Sequence, residues 1–174
     1  MKPTIDIRQE ETGDRLAVEQ LIEEAYLAAE HSDGNEATLV RQLRESRSFI
    51  PELSLVATID DRIVGHILFT RIVIGEATGL ALAPLAVAPS YQRKGIGGAL
   101  IARGHDVARR LGYKVSVVLG SPDYYMRHGY TRADRYGIKA PFPLDEPKYF
   151  MVCLLDGDNT DVRGTVTYDD AFGI

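Results

Sequence analysis

Apolar residues recur along the chain at two spacings, and each change of spacing marks an element boundary. From Asp14 to Ala29 they fall at Val18, Leu21, Ile22, Ala25 and Tyr26, one face of a helix with Asp14 as its N-cap. Glu36 to Ser46 repeats the pattern more briefly, with Leu39, Val40 and Leu43 inward, after a loop of turn residues from His31 to Asn35. A short strand over Thr4 to Arg8 precedes both helices.

Beyond Ser46 the helical spacing gives way to aliphatic and β-branched runs. Leu53 to Ile59 and Ile63 to Ile74 read as the two strands of a hairpin, divided by the polar turn Asp60-Asp61-Arg62. A third strand, Gly79 to Ala88, contains Pro84, which cannot donate a ladder hydrogen bond and therefore marks a bulge or a parting of neighbouring strands. From Gly95 to Leu111 the helical period returns, with Ile96, Ala99, Leu100, Val107, Ala108 and Leu111 on one face and Gly112 at the end. Lys114 to Leu119 is a short strand of the buried type, so strand, loop, helix and strand make a crossover that sets two strands parallel. Gly120-Ser121-Pro122 opens a short helical segment through His128, and Tyr149 to Leu155 reads as a late strand. A turn from Asp156 to Asn159 leads to a tail ending Tyr168 to Ile174. The order of elements is that of a mixed α/β protein.

Length and charge narrow the function classes. At 174 residues and 45% hydrophobic, the chain supports one core and one domain spanning residues 1–174. Its net charge is -5 and no basic run is interleaved with aromatics, which argues against a nucleic-acid partner. A mildly acidic surface suits a cationic amine substrate and equally serves solubility alone. The one cysteine, Cys153, excludes an intramolecular disulfide, and the polar start from Met1 to Glu11 lacks a signal peptide's apolar core, which points to a cytoplasmic protein. The longest apolar stretch, around Gly79 to Ala88, is about half the roughly 18 residues of a spanning helix, so no membrane segment is expected. His31, His66, His105 and His128 lack metal-ligand spacing, and no metal is expected.

The segment from Leu85 to Leu100 carries the chemistry. It joins strand to helix through Gly95, Gly97 and Gly98 with Arg93 and Lys94 beside them. Side-chain-free positions admit a phosphate to the backbone, the first-turn N–H groups have no intrahelical partners, and the helix dipole adds positive potential. The P-loop pattern is absent because no Lys-Ser or Lys-Thr follows the glycines. The dinucleotide fingerprint also fails, since Leu100 replaces its third glycine and the strand ending at Leu119 lacks the ribose-binding acid. The same glycines, read alone, could be a loop followed by tight helix packing.

Gln92, Gly95 and Gly97 match the signature of the Gcn5-related N-acetyltransferases, in which such a loop binds the coenzyme A pyrophosphate. Leu85-Ala86-Val87 before it and Tyr124-Tyr125-Met126-Arg127-His128-Gly129-Tyr130 after it resemble the family's flanking signatures. The resemblance covers about Ile5 to Leu155, and the extension over residues 156–174 looks closest to the YhbS-like subgroup. It implies a curved mixed sheet split into a V, with helices on both faces, where Gly79 to Ala88 and Lys114 to Leu119 diverge to receive pantetheine. On this reading acetyl-coenzyme A is the cosubstrate. Leu85, Ala86 and Val87 line the pantetheine, and Gln92, Arg93, Lys94, Gly95, Ile96, Gly97 and Gly98 hold the pyrophosphate.

The resemblance also assigns catalytic roles. The N–H of Leu85 would polarise the thioester carbonyl, and Tyr125 would protonate the departing thiolate. Tyr125 could instead be an aromatic packing residue, as Tyr124 is read to be. Cys153, within the apolar run Phe150 to Leu155, reads as a structural thiol, so direct attack by an amine is expected instead of a cysteine-bound acyl group. Glu30, His31, Asp33 and Glu36 cluster near the acceptor side, and no general base is chosen among them. The acceptor is a small-molecule or peptide amine, and the protein a monomer or homodimer. The alternative is a noncatalytic acyl-coenzyme A sensing module on the same fold.

Overall fold

The computed structural model describes residues 4–27, 29 and 32–174. Strand β1 (Asp6–Gln9) leads through a turn into helices α1 (Arg15–Tyr26) and α2 (Glu36–Arg44). Val18, Leu21 and Ile22 of α1 and Ala37, Val40 and Leu43 of α2 are buried, the faces their spacing requires. Asp14 does not cap α1. Its carboxylate instead accepts the Glu11 N–H at 2.8 Å and pairs with Arg8 at 2.6 Å, fixing the turn that precedes the helix.

The hairpin forms from β2 (Phe49–Ile59) and β3 (Arg62–Ile74), joined by Asp60 and Asp61 alone, with φ of 50° and 62°. Two successive left-handed residues form the turn whose twist matches paired strands. β2 starts before the expected Leu53 because Pro51 lies in an irregular stretch between the Phe49 and Ser54 registers, where no ladder bond is needed. β4 (Ala77–Val87) pairs antiparallel with β3, and β5 (Val115–Leu119) follows it in parallel through helix α3 (Ile96–Arg110). Helix α4 (Pro122–Tyr125) and a 3-10 turn (Met126–His128) come next. The chain then adds β6 (Tyr130–Arg132), β7 (Ile138–Lys139), β8 (Phe150–Leu154) and β9 (Gly164–Thr167). The sheet order is β1-β2-β3-β4-β5-β8-β6, with β9 paired to β3 and β7.

Alternation along the strands separates the two faces. Leu55, Ala57, Ile67 and Phe69 meet Ile96, Leu100 and Ile101 of α3, whereas Val56, Leu68 and Ala86 meet α1 and α2. α3 seats closely, since a side chain at Gly104 would run into the Phe69 ring. Leu111 departs from the expected inward face and is 43% exposed. The helix ends one residue earlier in a Schellman turn, with Gly112 N–H bonded to Arg109 O and Tyr113 N–H to Ala108 O, both at 3.0 Å, which swings Leu111 outward. The tail is also built in, because Val166 and Thr167 pair with Ile74 and Val73. No helix among the described residues is long and apolar enough to cross a membrane.

Below α2 lies a buried polar chain. Arg44 and Glu10, 4% and 3% exposed, are bonded at 2.5 Å; Glu10 accepts the Ser54 hydroxyl at 3.1 Å, and His66 Nε2 lies 3.1 Å from Ser54 Oγ. With Ser54 donating to Glu10, His66 must donate from Nε2, and its buried Nδ1 is a bare acceptor without a partner among the described residues. Burial, and then the Arg44 charge, push His66 down to about 3; burial likewise leads the causes that lower His105 to about 4. The unfolded chain, with histidines near 6.5, therefore binds protons that the fold refuses, and stability falls as pH drops from about 6.5 toward these lowered values. In urea unfolding, each histidine should contribute a loss of up to about 1.4 kcal/mol per pH unit within that window. Equal stability at pH 7 and pH 5 would contradict the neutral, buried state of both rings.

Candidate functional site

β4 and β5 pair only at Leu80 with Ser116 and Ala81 with Val117. Just past these pairs β4 bulges: Ile67 faces Leu85 and Phe69 faces Leu82, so Ala83 and Pro84 together oppose Leu68. Pro84 thus marks the parting its missing N–H suggested. Further along, Ala88 N–H bonds Val64 O at 2.8 Å, which makes residues 86 and 66 the next hydrogen-bonded pair. Leu85 and Val87 consequently turn their backbone N–H and C=O groups toward the gap that β5 has left. Ala86 faces the other way: its backbone is committed to β3 and its methyl is buried against α1 and α2.

Both carbonyls at the gap have partners. The Tyr26 hydroxyl donates to Leu85 O at 2.8 Å, and Gln92 Nε2 donates to Val87 O at 3.1 Å. Gln92 therefore ties the glycine loop back to the end of β4. The N–H groups of Leu85 and Val87 remain directed into the gap.

At the start of α3, Gly95 caps the helix with φ of 84°, and Arg93 is also left-handed at 61°. This alternation turns successive N–H groups inward, and with the unpaired first-turn N–H groups it makes a concave anion site. Arg93 and Lys94 are exposed beside it. Ile96 contributes only its backbone, since its side chain is 1% exposed in the core. Gly97 and Gly98 have an additional reason to be glycine: a Cβ at Gly97 would fall on the Tyr124 hydroxyl, and one at Gly98 would lie 2.6 Å from the His128 ring. The two signatures therefore interlock.

Tyr125 is packed from several sides. Its ring covers Gly120, where a Cβ would lie 2.5 Å away, and meets Tyr124 and Tyr130 edge-on at centroid distances of 5.0 and 5.7 Å. Tyr130 is held in turn by His105 Nε2 at 3.0 Å and Ser116 Oγ at 2.9 Å. Burial pushes the Tyr125 phenol well above its usual value, and the Tyr26 and Tyr124 phenols add to the shift. Tyr26 rises to about 12, first by burial and then through the Glu36 carboxylate. Cys153 lies 3.9 Å from His105 Nδ1, yet burial raises its thiol to about 11, so it is protonated and unsuited to attack.

Beside the gap, an open cleft of about 690 Å³ is lined by Leu82, Ala83, Pro84 and Leu119, by Tyr26, Asp33 and Glu36, and by Phe142, Tyr168 and Phe172. Of the four acceptor-side candidates, Asp33 and Glu36 line it, and Glu30 and His31 lie outside the described residues. Glu36 accepts the Ser32 hydroxyl at 2.5 Å, and Asp33 accepts the Asn35 N–H at 2.9 Å. The aromatic wall and the Tyr26 hydroxyl were not foreseen. Tyr26 reads as a core position by helical spacing, and the only local sign of the wall is the aromatic pair Tyr168 and Phe172 in a tail with no clear period.

The sequence profile of the acetyltransferase (GNAT) family matches residues 15–132. An uncharacterized N-acetyltransferase of Escherichia coli K12, YjhQ, is 46% identical over 116 residues, but the match spans only 64% of each chain. A second from the same organism, YhbS, is 33% identical over 86% of this chain and 90% of its own. The crystal structure of E. coli YhbS in complex with CoA superimposes with a TM-score of 0.90, at 28% identity, over 100% of this chain and 94% of that one. A GNAT family acetyltransferase of Brucella melitensis in complex with acetyl-CoA gives 0.81, at 31% identity, over 98% and 99%.

The contact between Gly97 and Tyr124 is testable by itself. Gly97→Ala should destabilise the fold by about 1–3 kcal/mol through overpacking, and Tyr124→Phe in the same chain should restore most of the loss by removing the opposing oxygen. Chemical denaturation of the two single variants and the double variant measures the coupling. Strict additivity would break the proposed contact.

Proposed function

The chain belongs to the acetyltransferase (GNAT) family, and from that premise we propose that it moves an acetyl group from acetyl-coenzyme A to a primary amine by direct attack. The observation that carries this reading is the pair of backbone N–H groups, at Leu85 and Val87, aimed into the gap between β4 and β5, with the anion site of α3 at one side and an open cleft at the other. A phosphate-bearing thioester fits such a site along its length. The first-turn N–H groups of α3, with Gly95, Gly97 and Gly98 and the cations Arg93 and Lys94, hold the pyrophosphate. Val87 N–H bonds a pantetheine amide, and Leu85 N–H donates to the thioester carbonyl oxygen.

That second bond does the catalytic work. As the amine lone pair forms the C–N bond, negative charge gathers on the carbonyl oxygen, and a fixed donor there stabilises the transition state more than the ground state. Tyr26 holds the Leu85 peptide by its carbonyl, which keeps the N–H on the same edge pointed at the reacting oxygen. Collapse of the tetrahedral intermediate breaks the C–S bond. The sulfur takes the Tyr125 proton, the acceptor nitrogen gives up one proton to solvent, and the Tyr125 phenolate takes one back from solvent, so charge and protons balance and the acid is restored. Because burial raises the phenol, Tyr125 is protonated throughout the working pH range, as an acid must be.

Tyr125→Phe keeps the ring packed on Gly120 and Tyr130 and removes only the transferable proton. In single-turnover measurements the acetyl-transfer step should slow by about 10²- to 10⁴-fold, with acetyl-coenzyme A affinity by calorimetry nearly unchanged. An undiminished chemical step would reduce Tyr125 to a packing residue. Absence of transfer to any amine by the wild type, despite tight acetyl-coenzyme A binding, would leave a sensing module.

A further inference from the structure

Resting on that reading, the structure assigns a chemical class to the acceptor: we propose a primary monoamine on an apolar, aromatic-sized body, with no carboxylate beside the amine. The cleft combines two chemically distinct surfaces. Near the parting of β4 and β5, Glu36 lies close enough to Tyr26 for its charge to be felt at the hydroxyl that bonds Leu85 O. In the same cleft Phe142 stacks on Tyr168 with centroids 6.1 Å apart, and Tyr168 meets Phe172 at 5.1 Å. Negative charge and an aromatic wall therefore line one and the same cleft beside the parting of the strands.

Charge on the rim has one sign. Asp33 and Glu36 are the only charged side chains lining the cleft among the described residues. By sequence, the stretch from Leu16 to Val40 and the stretch from Gly164 to Ile174 contain no Lys or Arg at all. No Lys or Arg in these segments, and no cation among the described residues that line the cleft, stands ready to neutralise a carboxylate on the acceptor, whereas an ammonium is drawn to the rim before it loses its proton and attacks. An amino acid, with its carboxylate one carbon from the amine, would bring that charge toward Glu36.

The wall selects the rest of the molecule. Leu119, 53% exposed at the end of β5, and Phe172 both face the cleft, and covering them with an apolar body removes hydrophobic surface from water. The Phe172 turn is not loose: Asp169 accepts the Ala171 N–H at 2.9 Å and the Ser48 hydroxyl at 2.7 Å, which pins the tail to the start of β2. A polyamine would satisfy the rim and leave the wall exposed; a monoamine with an aryl or branched alkyl body satisfies both.

The probes are phenethylamine, phenylalanine and ethylamine, with thiol release followed at saturating acetyl-coenzyme A and acetyl-coenzyme A binding followed by calorimetry. Phenethylamine should exceed phenylalanine in kcat/KM by about tenfold or more, and Glu36→Gln should raise its KM severalfold and shrink that ratio. Phe172→Ala should raise KM for phenethylamine while leaving ethylamine nearly unaffected, and neither variant should alter acetyl-coenzyme A affinity. Phenylalanine turning over as well as phenethylamine, or a ratio indifferent to Glu36→Gln, overturns the acceptor class. No release with any of the three from a protein that binds acetyl-coenzyme A overturns it too, and failure to bind acetyl-coenzyme A removes the reading beneath it.

Discussion

The parting of β4 from β5 is the constraint on which the rest of the site depends. A parallel pair that continued past Ala81 and Val117 would consume the N–H groups of Leu85 and Val87 in ladder bonds. It stops where Ala83 and Pro84 take up one extra residue against Leu68, a bulge that bends β4 away from β5. Leaving buried-edge backbone groups without a strand costs free energy unless something else bonds them. The protein offsets half of that cost internally, with Tyr26 on one carbonyl and Gln92 on the other. It leaves the donors for a ligand.

This division explains why residues far apart in sequence converge. Tyr26 ends α1 and Gln92 begins the glycine loop, so each bond also fixes the position of an element beside the gap. α3 and α4 are interlocked by absent side chains, with Tyr124 and His128 filling the space over Gly97 and Gly98. The proposed phosphate site and an aromatic cluster are thereby held in one rigid unit. Glycine here serves two demands together, approach of an anion to the backbone and approach of one helix to another.

What could be read from the sequence was whatever is encoded locally. The period of α3, the bulge at Pro84 and the glycine loop depend on residue types within a few positions of one another, and each lies where local chemistry put it. Asp14 and Leu111 were misplaced by one competing contact each, the Arg8 pair and the Schellman turn. β6, β7 and β9 escaped notice because strands of three, two and four residues are too short for a period to register. The aromatic wall escaped for a different reason. Phe142, Tyr168 and Phe172 become neighbours only after β9 docks on β3, a long-range pairing that no window of sequence contains. The same holds for Tyr26, whose spacing marks an apolar face but not the carbonyl its hydroxyl reaches 59 residues later.

The proposed acid shows why acidity in water is a poor guide inside this gap. A free phenol near 10 and a thiol near 8.5 differ by about 1.5 units, so protonating the thiolate is uphill by about 2 kcal/mol before any protein effect. Burial raises Tyr125 further, which taken alone would enlarge the gap. In the proposed reaction the leaving thiolate, however, would form beside the same apolar side chains, and burial raises a thiol for the same reason, as it does at Cys153, pushed up to about 11. Only the difference between the two groups governs proton transfer, and a shared environment moves both in one direction. Tyr125 is already desolvated and held by Gly120 and Tyr130, so no further side chain has to be ordered as the sulfur takes on charge. Packing, which seemed to compete with catalysis as the explanation for this tyrosine, is the condition under which a weak acid can serve as a fast one.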